Sequence, residues 1–411
     1  MIKTIREWDE IEVRSEGIDK KIAGQLCELA AHESKRLKVS TPALSWKNRT
    51  TLKAGQVIGV LALPSFSLEI LPKIEGENDT RVREALTHML NIAWGLPVVT
   101  STNTSMGLQN HDLLEVLITS FAEKFLTVVR RGLPRRYVPF EDELTLLRGR
   151  LNVKRQIVNN LVRPDKLACE FDELSVDTPL NRVLKATVRL LESHARSAEN
   201  RRRLLELRAR LESVSNSALP LSERVRLDRT NTVFHELYRL AQLLLQRPWQ
   251  STNIGTSSGI ALLFPMNDLF EAFVARSLKR ALPARDIRIQ DSGKFVLSDG
   301  TKRLMHLKPD LVMDGDTIID TKWKRLDAEK SDLGVKEADV YQMLAYGHAY
   351  KAKRLILLYP WHQGLERDSI QNQKPWNVHG TEMVLDIATV DIGVPKDVPA
   401  TLKEMFPDSW L

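Results

Sequence analysis

Apolar residues recur along this chain with two different periods, and the change of period divides it into regions. In the first hundred residues the repeat is short. Val57–Leu63 and Ser67–Leu71 are β-rich runs, separated by Pro64 and closed by Pro72, which predicts strands joined by turns. Two helical patterns interrupt them. Ile18–Leu37 carries Ile22, Leu26, Leu29 and Ala30 at helical spacing, and Arg81–Trp94 carries Val82, Leu86, Met89 and Leu90. From about His111 the pattern turns mostly helical. His111–Val129, Asn181–His194, Arg201–Val214 and Thr232–Leu245 each predict an amphipathic helix. Asp177-Thr178-Pro179 suits a helix start, since the fixed φ of proline fits a first turn. Ser251–Gly259, rich in Ser, Thr and Gly, predicts a loop and a boundary.

Beyond that loop helix and strand alternate. The order is helix (Pro265–Leu282), strands (Ile287–Gln290, Lys294–Leu297, Leu307–Met313, Thr317–Trp323), helix (Ala338–Tyr350) and strand (Arg354–Tyr359). Asp291-Ser292-Gly293 and Asp314-Gly315-Asp316 read as hairpin turns. The expectation is an α/β (α+β) multidomain chain in three successive parts: a β-rich region over 1–110, a mainly helical, basic region over 111–258, and a mixed-sheet domain over 259–411.

Composition adds limits. The 411 residues suffice for two or three domains, and 43% apolar with 27% charged content is ordinary for a globular protein. There is no uncharged apolar run of about 18 residues, so no membrane-spanning helix is expected. The segment MIKTIREWDEIEV lacks the apolar core of a signal peptide, which predicts a cytoplasmic protein. Cys27 and Cys169 lie far apart without metal-site spacing, in keeping with a reduced compartment and against zinc. The net charge of +7 is uneven: Arg130–Lys166 holds ten Lys/Arg against four Asp/Glu, and Arg201-Arg202-Arg203 with Arg208 and Arg210 forms a second basic run. Such clusters suit a polyanion such as DNA. They equally suit a solvated helix face with pairs such as Arg202–Glu206 and Arg208–Glu212.

The candidate chemistry lies in Pro309-Asp310 and Asp320-Thr321-Lys322. Alternate side chains of a strand share a face, so Asp320 and Lys322 project together. Asp310, across a tight turn, becomes a cross-strand neighbour of Asp320. Two carboxylates converging with a backbone carbonyl, that of Thr321, make an oxygen-rich site for Mg2+. The ion would polarise a phosphodiester and lower the pKa of a bound water, while Lys322 would stabilise the transition state. Glu271 falls among the apolar positions of its helix, where a carboxylate needs a reason such as a metal. The competing reading is a capping box, Asp268-Leu-Phe-Glu271. Gln342 and Tyr346 are one helical turn apart, with Asp339 on the same side. They could contact DNA at a site mouth or be ordinary surface and core residues.

The ordered set Glu…Pro-Asp…Asp-x-Lys…Gln-x-x-x-Tyr on helix, strand, strand and helix resembles the RecB-like branch of the PD-(D/E)xK nuclease superfamily. Three further strings narrow the likeness: Phe66–Ile74, reading FSLEILPKI; Leu147–Leu151, reading LRGRL; and Cys169–Asp177, reading CEFDELSVD, leading into Leu180–Lys185. They are similar to the McrC family, nuclease subunits of McrBC-type restriction systems for modified DNA, over about Val57 to Tyr359. The resemblance implies a McrB-like AAA+ GTPase ring as partner, engaged through the N-terminal region. It also implies double-stranded DNA with modified cytosine as substrate, and GTP held by the partner. In agreement, the chain has no G-x-x-x-x-G-K-[ST] loop; its only Gly-Lys, Gly293-Lys294, is followed by Phe295. The alternative implied role is a catalytically silent subunit that only binds and stimulates the ring.

Overall fold

The computed structural model describes residues 2–14, 18–39, 41–63, 66–74, 76–95, 112–163, 165–229, 231–246, 259–365 and 375–406. Pro64 and most of the expected Ser251–Gly259 loop lie outside the described residues. The chain forms two compact units: Met1–Val116 together with Trp249–Leu411, and Leu117–Pro248.

In the N-terminal part of the first unit the elements are β1 (Ile2–Arg6), β2 (Glu10–Glu12), α1 (Lys20–Leu37), β3 (Leu44–Trp46), β4 (Thr51–Ala54), β5 (Val57–Ala62), β6 (Ser67–Leu71) and α2 (Asp79–Trp94). Helix α1 starts where Asp19 accepts a hydrogen bond from Ile22 N at 2.7 Å, satisfying a donor that has no partner within the helix. Its apolar stripe, Ala23, Leu26, Leu29 and Ala30, packs into one core with Leu52, Leu61 and Leu68. Strands β5 and β6 are buried at every position. Glu69 in β6 is buried because four donors converge on it: Thr4 Oγ1 at 2.8 Å, Arg83 Nε and Nη2 at 2.8 and 2.7 Å, and Leu113 N at 3.0 Å. A buried carboxylate survives only with such compensation.

Helix α3 (Leu113–Val129) runs across the division between the units. The second unit then holds β7 (Arg136–Leu144), β8 (Arg150–Leu151), α4 (Val153–Asn159), β9 (Leu167–Ser175), α5 (Pro179–Glu192), α6 (Ala198–Arg210) and α7 (His235–Gln246). The helices fall close to where the apolar period put them. The antiparallel sheet β7-β9-β8 departs from a mainly helical expectation. Strand β7 is charged and has no buried residue, so no buried face imposed an apolar alternation on it. The basic runs are heavily paired: Arg136 with Asp228 at 2.8 Å, Arg155 with Glu141 at 2.7 Å, Arg203 with Glu199 and Glu123 at 2.6 and 2.7 Å, and Arg210 with Glu206 at 2.8 Å. Arg208 turns to Glu192 at 3.5 Å.

The C-terminal part returns to the first unit with β10 (Ile260–Pro265), α8 (Met266–Ala281), β11 (Ile287–Ile289), β12 (Phe295–Ser298), β13 (Arg303–His306), β14 (Leu311–Met313), β15 (Thr317–Thr321), α9 (Glu337–Tyr350), β16 (Arg354–Pro360), β17 (Trp376–Asn377), β18 (Val384–Val390) and α10 (Val398–Glu404). Six strands form one mixed sheet, β11-β14-β15-β16-β18-β17, in which β15, β16 and β18 are parallel. Parallel neighbours need a crossover, and α9 supplies it between β15 and β16. The expected hairpin at Asp291–Gly293 does not form: β11 pairs with β14, while β12 pairs with β13 in a separate two-stranded sheet.

Where three successive domains were expected, β10 pairs antiparallel with β5, from Ile260↔Ala62 to Pro265↔Val57. The result is the sheet β1-β6-β5-β10. Ala261 and Leu263 enter the N-terminal core, and Trp94 stacks on Phe264 at 5.0 Å. The close approach needs glycine at position 59: its φ is +130°, and a Cβ there would lie 1.9 Å from Leu262 O. Among the described residues no helix is long and apolar enough to cross a membrane.

Gly59→Ala is expected to force β5 from β10 and lower stability by at least about 2 kcal/mol. Gly24→Ala, in α1 with nothing within 4 Å of the added carbon, should stabilise by about 0.5–1 kcal/mol. Urea unfolding of the two variants checks both signs.

Candidate active site

At the end of β15 the chain leaves the sheet, and the candidate residues meet there. Strand β15 ends at Thr321, two residues short of the expected Trp323, and β14 begins at Leu311 instead of Leu307. Both shortenings have one cause. Asp310, just before β14, accepts Thr321 N at 2.7 Å and Thr321 Oγ1 at 2.6 Å through a single carboxylate oxygen. The parallel ladder continues for one more bond, Lys322 N to Leu358 O at 2.8 Å. Asp310 is therefore beside Asp320, as expected, but is fixed by Thr321.

A cavity of about 320 Å3 opens here, walled in part by Asp310, Asp320, Lys322, Glu271, Gln342 and Tyr346. All six residues singled out in the sequence line it, and Thr321 lies among them. Lys322 Nζ sits 2.6 Å from Asp320 Oδ2, 2.9 Å from Gln342 Oε1 and 3.7 Å from Asp339 Oδ1. Gln342 in turn donates to Tyr346 OH at 2.8 Å, and that hydroxyl donates to Lys308 O at 3.2 Å. The one-turn spacing of Gln342 and Tyr346 thus becomes a relay that holds the ammonium in place. Asp339 accepts Lys324 Nζ at 2.6 Å.

Glu271 stands at the edge of the buried face of α8, half-buried, and not inside it. The capping-box reading fails, because α8 starts at Met266 with Pro265 as N-cap. The Glu271 carboxylate accepts Gln290 Nε2 at 2.7 Å. Gln290, Lys308, Lys324 and Asn267 were not anticipated. Lys308, directly before Pro309-Asp310, was the one with a local signal. Gln290 reaches Glu271 only because its own N–H bonds Asp310 O at 2.8 Å with φ at +49°.

The electrostatics follow from crowding. Burial first, then the Glu271 charge, raises Asp310 from the ordinary 3.8 to about 6. Burial first, then Asp310, raises Asp320 to about 6. Burial also raises Glu271, against the Gln290 hydrogen bond that lowers it. Burial works to deprotonate Lys322, but Asp320 and Asp339 outweigh it and hold the amine above its ordinary value. Asp320 Oδ2 is buried without a hydrogen-bond partner, since the ion pair to Lys322 does not satisfy it as an acceptor. This surplus of buried negative charge suits a divalent cation. Among the described residues no three His, Cys, Asp or Glu side chains form a ready-made metal cage. The donor set fits an ion held by one or two carboxylates that keeps its remaining ligands as water or substrate oxygen, the habit of Mg2+.

A family model for the McrBC 5-methylcytosine restriction system component matches residues 52–360. The Type IV methyl-directed restriction enzyme EcoKMcrBC of Escherichia coli (strain K12) is 30% identical over 108 residues, 26% of this chain. The chain spans 31% of the length of that curated relative. Among solved structures, a chain of the refined half-complex from the tetradecameric assembly of Thermococcus gammatolerans McrB AAA+ hexamers with bound McrC aligns at a TM-score of 0.77 and 22% identity, covering 99% of this chain and 100% of that one. At that identity the likeness is one of fold. The cryo-EM structure of the Thermococcus gammatolerans McrBC complex aligns at 0.57 and 28% identity, covering 69% of this chain and 88% of that one.

An acid whose pKa is raised by folding binds its proton more tightly in the folded chain. Asp310 and Asp320 therefore favour folding below pH 3.8, and the benefit is lost as pH rises through about 6. With divalent ions chelated, Asp310→Asn should be more stable than the wild type by about 1–3 kcal/mol near neutral pH. The gap should close as pH falls below the ordinary carboxylate range. Thermal unfolding across that range checks it; a gap that widens on acidification would contradict the crowding.

Proposed function

The chain belongs to the McrBC 5-methylcytosine restriction system component family, and on that footing we propose that it is the nuclease subunit of a McrBC-type restriction complex. In this reading it hydrolyses phosphodiester bonds of DNA carrying modified cytosine. The observation that carries it is the cluster of Asp310 and Asp320, both raised to about 6 and facing Lys322 in one cavity. Buried carboxylates in strained protonation beside a fixed cation are the mark of a working site. The order α8, β14, β15, α9 around that cluster supports a PD-(D/E)xK nuclease fold for the six-stranded sheet.

Asp310, Asp320 and the Thr321 carbonyl would hold Mg2+, with Glu271 across the cavity. When bound, the ion supplies Lewis-acid polarisation of the phosphodiester and a more acidic water. The chain's own residues do the rest. Lys322, kept protonated by Asp320 and Asp339, places an ammonium where charge develops on the phosphate. Gln342 and Tyr346 fix its direction.

For the partner we propose a McrB-like AAA+ GTPase ring, the kind of assembly in which the similar Thermococcus gammatolerans chain is bound. The N-terminal region shares a core with β10 and so is an integral part of the nuclease-bearing unit. The unsatisfied surface lies in the second unit, where Leu146, Val158, Leu161 and Val162 are 79%, 74%, 76% and 86% exposed. Apolar side chains so exposed mark an interface, and we place the ring-facing surface there.

The second reading is a catalytically silent subunit that binds and stimulates the ring. One observation favours it: Glu271 is already engaged by Gln290, leaving two aspartates as charged donors. Reconstitution with the partner separates the two. Asp320→Ala and Lys322→Ala should each abolish cleavage of methylated DNA by the complex while leaving GTPase stimulation near wild type. Cleavage that survives Asp320→Ala overturns the nuclease reading. A further expectation is that Leu161→Glu with Val162→Glu reduces co-purification with the ring at least about tenfold, the effect of about 1.4 kcal/mol, with thermal stability unchanged.

A further inference from the structure

A second cavity of about 590 Å3 shares Asn267, Trp323 and Lys324 with the first. Its volume is in the range of small-molecule sites, about 300–1,000 Å3. Two polar atoms on its wall have no hydrogen-bond partner: Glu7 Oε2 and Tyr359 OH. Both side chains are buried, at 2% and 1% exposure. Neither is loosely placed. Glu7 follows β1, and its other oxygen accepts Trp323 Nε1 at 2.8 Å and Lys73 N at 3.0 Å. Tyr359 is held in β16, opposite Thr389 of β18. A buried carboxylate oxygen and phenol left unsatisfied are costly, and a ligand that pairs with them recovers the cost.

The rest of the lining states the ligand's chemistry. Trp8 and Trp361 add two indoles to Trp323. Lys73, Lys324, Arg325 and Lys336 make the rim cationic, against Glu7 and Asp339. Aromatic faces with a cationic rim are what a nucleotide needs: stacking for the base and positive charge for the phosphate. A lone carboxylate oxygen selects a base with an amino donor, as cytosine has.

We propose that this cavity holds one unpaired nucleotide of the DNA strand lying at the Asp310–Asp320 site, with its base between indoles and its amino group donating to Glu7 Oε2. The assignment rests on the nuclease reading for its source of DNA, while its chemistry stands on the cavity alone. Glu7 and Tyr359 are then specificity residues for a strand whose base has left the stack.

The probes are deoxycytidine monophosphate, thymidine monophosphate and deoxyribose 5-phosphate, titrated against the full chain in EDTA by tryptophan fluorescence. Deoxycytidine monophosphate should quench saturably and bind about tenfold tighter than the other two, the ratio one good hydrogen bond carries. Glu7→Gln and Tyr359→Phe should each remove most of that preference and leave deoxyribose 5-phosphate binding unchanged. Trp8→Ala, at a residue already 42% exposed, should weaken both nucleotides alike without unfolding the chain. Equal binding of all three probes, or none, overturns the proposal. Asp320→Ala should retain the deoxycytidine preference, so loss of the nuclease reading and loss of this one are read separately.

Discussion

The pairing of β10 with β5 is the constraint on which the first unit depends. It joins strands about two hundred residues apart, and it closes only because position 59 has no side chain to strike Leu262 O. Once made, it carries α8 directly out of the N-terminal sheet, since β10 ends at Pro265 and α8 begins at Met266. Glu271 and Asn267 ride on that helix. Phe270 of the same helix meets the Trp323 ring at 5.5 Å, and Gln56, just before β5, bonds both Asn267 and the Trp323 carbonyl. The N-terminal residues thus brace the strand end that presents Asp320 and Lys322.

The site itself is an arrangement that the fold holds against its own electrostatics. Desolvation and mutual repulsion push the carboxylates toward protonation. The compensations are few and directional: two donors from Thr321 on Asp310, one amide on Glu271, and one ammonium shared by Asp320, Asp339 and Gln342. Such a site stores a charge imbalance that a cation and a phosphate group can relieve. The same imbalance costs stability in their absence, the usual trade at a functional centre.

The two units bear contrasting surfaces. In the first, Glu69 buries its charge under four donors, and the apolar residues of β5 and β6 are covered on both faces. In the second, α4 has no buried residue at all, and the segment around it exposes leucines and valines. A helix with nothing to bury gains little from packing within its own unit, which is the physical ground for assigning its apolar side chains to a partner.

Helices α1, α2, α5, α6, α7, α8 and α9 were legible in the sequence, because a helix is specified by spacing within one turn or two. So were Asp310, Asp320 with Lys322, and Gln342 with Tyr346, each set by local geometry. What lay beyond reach was set by distant partners. Glu7 bonds Trp323 across 316 positions, and no period in the sequence relates them. The β7-β9-β8 sheet was hidden because its strands bury little and so carry no alternation. The hairpin expected at Asp291–Gly293 had sound turn chemistry, but β11 gained more by joining the large sheet beside β14. The sequence alone determined which side chains would do chemistry and which helices would carry them. The tertiary structure decided that the two ends of the chain share one core and that Glu271 faces Gln290, because backbone pairing and burial are satisfied only between segments that the sequence keeps apart.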